Sequence, residues 1–188
     1  MHSTAGIVLS ILLTCEAICI RPIEGQTLSF LRQFTTPGID RATAVAADAS
    51  GIYVVGNRAF GVDQGGGVRK YDSRGNELWT TGFSRSGPGS AQLVGAAADG
   101  TGVYVIGYLR APTGGDTGQF VRKYSSGGSE LWTRQLEFQV SGGVAADPTG
   151  VYVAGPGFLR KYNLDGEESW TSRIAGTALG VAVDGTAV

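Results

Sequence analysis

From residue 43 onward, short apolar runs alternate with clusters of Asp, Ser, Asn and Gly. The runs are rich in Val, Ile, Tyr and Trp, residue types that favour strands. Asp-Ala-Ser-Gly (48–51) separates the first two runs, and Asp-Ser-Arg-Gly-Asn (72–76) separates a later two. In such clusters Asp or Ser bonds its own backbone and Gly supplies positive φ, so both read as tight turns. The pattern predicts strands at roughly 43–47, 52–56, 67–71 and 77–83. No segment after residue 25 shows helical periodicity with caps.

The same pattern returns along the chain. DASGIYVVG (48–56) recurs as DGTGVYVIG (99–107) and DPTGVYVAG (147–155), and a fourth copy opens at Asp184. VRKYDSRGNELW (68–79) recurs as VRKYSSGGSELW (121–132) and LRKYNLDGEESW (159–170). Tyr71 to Trp79, Tyr124 to Trp132 and Tyr162 to Trp170 are each a step of eight residues. The connection between the two blocks varies instead, at eleven, thirteen and three residues. Constant spacing marks paired strands and hairpins, and variable spacing marks loops.

Four antiparallel strands repeated in this way predict an all-β chain built of β-propeller blades. Small residues at Ala44, Ala46, Gly95, Ala97, Gly143 and Ala145 suit the first strand of each blade, which lines a crowded channel. Trp79, Trp132 and Trp170 fall on the outermost strand, where they can cover the gap between blades. The expected blades span 42–84, 92–137 and 141–174. A lone outer strand is expected at 27–34, where Phe30 takes the Trp place. A lone inner strand is expected at 179–183, opening a further blade over 177–188. Three complete blades fall short of the roughly four to eight of a closed ring. The propeller is therefore expected to be incomplete, with further blades or another copy of the chain as its partner.

Composition narrows the chemistry. Lys plus Arg number 15 against 16 Asp plus Glu, which argues against nucleic acid or an anionic membrane as the partner. Charged residues are 16% of the chain, below the usual level of about 25%. The 31 glycines suit a chain of many tight turns. The two cysteines are Cys15 and Cys19, and the only histidine is His2. The body therefore offers no disulfide framework, no thiolate or histidine metal site and no Ser-His-Asp triad. Residues 1–25 hold an apolar run, Ile7 to Cys15, too short for a membrane span and of the length of a signal-peptide core. Export to the cell surface or the extracellular space is expected, with no integral membrane span.

The paired blocks resemble the bacterial β-propeller repeats called SBBP repeats, with an Asp-x-x-Gly-x-Val-Tyr-Val-x-Gly block, a variable loop and a Lys-Tyr-x-x-x-Gly block. The matching residues are Asp48 to Gly56 with Lys70 and Tyr71, Asp99 to Gly107 with Lys123 and Tyr124, and Asp147 to Gly155 with Lys161 and Tyr162. The resemblance covers most of the chain. It implies a propeller on secreted or surface proteins of bacteria, and it supplies no catalytic residues. The Tyr-to-Trp hairpin is also loosely similar to that of quinoprotein dehydrogenase propellers, but no cofactor residues match.

The recurring charged residues read as architecture. In Arg69-Lys70, Arg122-Lys123 and Arg160-Lys161, one side chain is expected to face solvent while the other covers a neighbouring blade or pairs with an acid. Asp48, Asp99, Asp147 and Asp184 are expected to cap the turn between the first two strands. No catalytic, cofactor or metal residue is assigned. Candidate ligand contacts lie where the repeat breaks, in loops 57–66 and 108–119: Arg58, Asp63, Tyr108, Arg110 and Asp116. The expected function is a non-catalytic, secreted or surface-exposed binding module or scaffold for a protein or glycan. The alternatives are a hydrolase or lyase completed by missing blades, and a purely structural segment of a larger surface protein.

Overall fold

The computed structural model describes residues 41–57, 65–83, 90–140 and 143–184. The expected leader and the strand at 27–34 lie outside these residues. The described residues form three successive β-propeller blades. Blade 1 contains β1 (Arg41–Asp48), β2 (Gly51–Asn57), β3 (Gly66–Tyr71) and β4 (Glu77–Phe83), paired in that order. Blade 2 contains β5 (Ser90–Ala98), β6 (Gly102–Arg110), β7 (Asp116–Ser125) and β8 (Glu130–Leu136), again in chain order. Blade 3 contains β9 (Gly143–Asp147), β10 (Gly150–Tyr162) and β11 (Glu168–Thr177). All pairings are antiparallel.

Blade 3 still has four strand segments. The first part of β10 pairs with β9, and its second part pairs with β11. A Cβ on Gly150 would collide with the carbonyl of Tyr162, so the two ends of β10 lie side by side. The fold-back occurs at Gly155-Pro156-Gly157-Phe158, with Gly157 at φ 79°. Pro then Gly at positive φ is the signature of a type II turn. The three-residue connection in the sequence has become a tight hairpin.

Strand alternation stacks the blades. Tyr53, Val55 and Val68 of blade 1 meet Val103, Val105 and Tyr124 of blade 2 in one core. The opposite face of blade 2, with Tyr104, Ile106 and Val121, meets Val151, Val153 and Tyr162 of blade 3 in a second. Side chains alternate between faces along a strand, so VYVIG of blade 2 is apolar throughout because it is sandwiched between blades 1 and 3, and IYVVG and VYVAG are likewise buried on both faces. The inner strands stand in a row, with β5 between β1 and β9. Ala44, Ala46, Ala96 and Ala98 pack against the first core from there, as small residues on an inner strand should.

The expected lone strand at 179–183 forms no ladder among the described residues. The chain nonetheless passes the inner strand of blade 3: a Cβ on Gly143 would lie 3.3 Å from the Gly180 Cα.

Candidate functional site

The blades have two ends, and the repeat uses them differently. One end carries the Asp-x-x-Gly turns and the Tyr-to-Trp turns. In blade 2, Asp99 accepts from the Thr101 amide (2.9 Å) and hydroxyl (2.6 Å), as an Asp-capped turn requires. Its second oxygen accepts the Tyr104 hydroxyl at 2.6 Å and faces Lys123 Nζ at 3.8 Å. Lys123 also lies 4.7 Å over the Tyr104 ring. Blades 1 and 3 repeat the unit as Asp48, Ser50, Tyr53 and Lys70, and as Asp147, Thr149, Tyr152 and Lys161.

The environment of this unit perturbs titration. Burial raises the Tyr104 pKa, and the hydrogen bond to Asp99 and that carboxylate's charge raise it further. Burial lowers the Lys123 pKa, partly offset by Asp99 and Asp165. For Asp147, burial pushes upward, but bonds from Thr149 and Tyr152 and the charge of Lys161 outweigh it and bring the pKa down. Perturbed Tyr, Lys and Asp together can mark catalysis. Here each group is held by an internal partner and the unit recurs blade after blade, which marks it as part of the wall.

The Arg-Lys pairs divide their labour differently from the sequence expectation. In the first two pairs the lysine is the buried member, with Lys70 and Lys123 only 3% and 2% exposed, while Lys161 is half-buried. The arginines cover the neighbouring blade and pair with acids. Arg122 lies 4.0 Å over Phe83 of blade 1 and 2.7 Å from Glu130. Arg160 lies 4.8 Å over Phe138 and 3.4 Å from Glu168. Neither residue of a pair is left as a free solvent-facing cation, because the Lys stem fills space beneath the next blade while its ammonium finds acceptors.

The opposite end carries the connections that break the repeat. Arg58 and Asp63 lie outside the described residues. Tyr108, Arg110 and Asp116 are on strands rather than in a long loop. Thr117 bonds to the Leu109 carbonyl, and the ladder runs on to pair Arg110 with Asp116. Only 111–115 remain as a turn. The structure brings these three candidates together: Arg110 lies 3.7 Å from Asp116 and 5.9 Å from the Tyr108 ring centre.

Sequence reasoning missed a cleft at this same end. Phe138, Pro156, Gly157, Phe158, Arg160, Thr171 and Arg173 line a space of about 320 Å³. Phe138 and Phe158 meet at 4.3 Å and 34°. The equivalent gap between blades 1 and 2 is filled by Phe83 stacked on Phe120 at 4.6 Å and 5°. Among the described residues Arg173 has no carboxylate partner, whereas Arg160 is neutralised by Glu168.

Comparisons with known proteins bear on the fold. No family model matches the chain, and no curated protein matches it, so the SBBP resemblance rests on the motif blocks alone. Among solved structures, a Bacteroides caccae protein of unknown function is similar at TM-score 0.50 and 14% identity. The match covers 77% of this chain and 50% of that one, so the chain spans about half that protein's length. BamB from Moraxella catarrhalis is similar at TM-score 0.37 and 16% identity, over 82% of this chain and 56% of that one. Among the described residues, no helix is long and apolar enough to cross a membrane.

Proposed function

We propose that the chain is a non-catalytic propeller module that binds a protein or glycan at the end carrying the blade-specific connections. The expected leader adds that it acts at the cell surface or outside the cell. The cleft beside Arg173 supports the reading most directly. Two of its lining residues are phenylalanines, its volume is in the range of ligand sites, and it holds Arg173, whose guanidinium has no carboxylate partner among the described residues. An aromatic face takes the apolar side of a peptide or sugar, and a guanidinium pairs with a carboxylate. The partner therefore presents a carboxylate next to an apolar surface. Arg110, Asp116 and Tyr108 lie at the same end of blade 2 and extend the recognition surface.

Titration calorimetry of the full chain with an oligouronate and with an acidic, aromatic-containing peptide tests this. One of the two should bind. Arg173→Glu should weaken that binding about tenfold or more, the loss of one charge-assisted pair. No binding of either probe, or binding indifferent to Arg173→Glu, would sink the reading.

A further inference from the structure

The cleft beside Arg173 borders β11, since Thr171 and Arg173 both line it. This strand differs from its counterparts in the other blades. β4 and β8 run for seven residues each and β11 for ten. All three are outermost strands bonded on one edge. Each presents a row of main-chain N–H and C=O groups on the other edge. Opposite Arg173 in the ladder is Phe158. The same place holds Gln135 opposite Phe120 in blade 2 and Gly82 opposite Gly67 in blade 1. Of the three blades, blade 3 alone sets a cation there. The cation that β8 does carry, Arg134, is engaged by the Gly166 and Asp165 carbonyls of the next blade.

Three further observations make β11 a receptive edge. Trp170 to Arg173 pair without interruption with Lys161 to Phe158, and all four are exposed. The register then jumps from Phe158↔Arg173 to Pro156↔Thr177, so Ile174, Ala175 and Gly176 form a bulge. A bulge ends regular pairing and re-aims the side chain beside it, which here is Arg173. The single acid of β11 is already engaged. Glu168 accepts the Thr171 hydroxyl at 2.7 Å with one oxygen and faces Arg160 Nε at 3.4 Å with the other. The rings favour a side chain over a sugar, which stacks on an open aromatic face. Phe158 is only 3% exposed, and Phe138 already meets Phe158 at 4.3 Å and the Arg160 guanidinium at 4.8 Å.

We infer that β11 receives an acidic peptide as an added strand. The peptide pairs its main chain with the outer edge of Trp170–Arg173 and sets a Glu or Asp carboxylate on the Arg173 guanidinium. Two residues away it places an apolar side chain at the mouth of the cleft, against Phe138. Strand geometry sets that spacing. Residues two apart share a face, and side chains opposite or diagonal across a pair lie within about 4.5 to 8 Å. Thr171 and Arg173 are two apart and both line the cleft, so the face they share reads the peptide. Main-chain bonds supply affinity and alternate side chains supply selectivity. The inference rests on the binding reading above and commits it to a peptide.

The test measures binding of two capped hexapeptides, Thr-Val-Glu-Val-Phe-Thr and the reverse order Thr-Phe-Val-Glu-Val-Thr, to the 188-residue chain. The acid and the phenylalanine are two apart in both, and the two orders serve either strand direction. Each peptide is also made with N-methyl groups on alternate amides, in the two possible sets. An added strand bonds through one edge, so one set should weaken binding about tenfold or more and the other should be tolerated. Arg173→Glu should weaken binding about tenfold, as should Gln in place of the peptide's Glu. With peptide bound, those amides of Trp170–Arg173 that do not bond β10 should exchange about tenfold more slowly or better. Equal effects of the two methyl sets, whether none or total, would overturn the strand addition and leave the binding reading standing. So would binding of an oligouronate with no binding of either peptide. Binding of neither the peptides nor the oligouronate would overturn both.

Discussion

At the residue scale, the fold depends on charged groups placed where charge is costly. The side chains of Asp99 and Lys123 are 0% and 3% exposed. A buried pair is a poor source of net stability, but losing one partner strands the other. Asp99 also holds the turn through Thr101 and the Tyr104 hydroxyl, so its loss strikes three groups at once. Asp99→Asn should destabilise the chain by about 3 kcal/mol or more in urea unfolding. Lys123→Met added to it should recover part of that loss, because the stranded ammonium is gone while the stem still covers Tyr104. A double variant no more stable than Asp99→Asn would show that the turn bonds, not the buried charge, set the cost.

At the element scale, the hairpin turns decide where strands end, and this made the blade legible in the sequence. Asp72 accepts from the amides of Arg74 and Asn76, both at 2.8 Å, and Asn163 does the same for Asp165 and Glu167. Such local bonds are written into adjacent residues. The strands expected at 52–56, 67–71 and 77–83 accordingly match β2, β3 and β4 within one residue at each end. The 108–119 loop was misread because its ladder extension depends on Leu109, Thr117 and the Arg110–Asp116 pair rather than on a continuous apolar run. The burial of the lysines and the cleft were not legible, because both depend on how one blade lies on the next. Two glycines separate local from non-local demands. Gly157 and Gly166 have nearly the same φ, 79° and 77°, but a Cβ on Gly157 meets open space and one on Gly166 meets Trp132. Gly157→Ala should cost about 1 kcal/mol, the backbone term alone. Gly166→Ala should cost about 3 kcal/mol and shift Trp132 fluorescence to the red. Equal costs in denaturant titrations would refute the seating of Trp132 on the turn.

At the scale of the whole molecule, stability is a matter of neighbours. Each blade alone is a small twisted sheet whose two apolar faces need covering, so a blade with a neighbour on both sides should be the most protected. Blade 2 is that blade, with Val103 and Val105 packed toward blade 1 and Tyr104 and Ile106 toward blade 3. All four are fully buried. At the other extreme, β11 is exposed along almost its whole length and pairs with β10 on one edge only. Its amides can open by fraying without disturbing either core. Native-state hydrogen exchange should therefore show β6 amides exchanging only through global unfolding, with the slope on added urea expected for the whole chain. Amides of β11 should exchange orders of magnitude faster and with little urea dependence. Blade 3 would then be a separately opening unit, held to blade 2 chiefly by Val151, Val153 and Tyr162 and by the bonds from Trp132 and Arg134 to the carbonyls of its turn. Removing both sets of bonds through the double substitution Trp132→Ala and Arg134→Ala should make the inner half of β10 exchange as fast as β11, while β2 and β3 keep their protection. Uniform loss of protection across all three blades would instead mean that the array unfolds as one cooperative body, and that the interface between blades 2 and 3 is not its weakest joint.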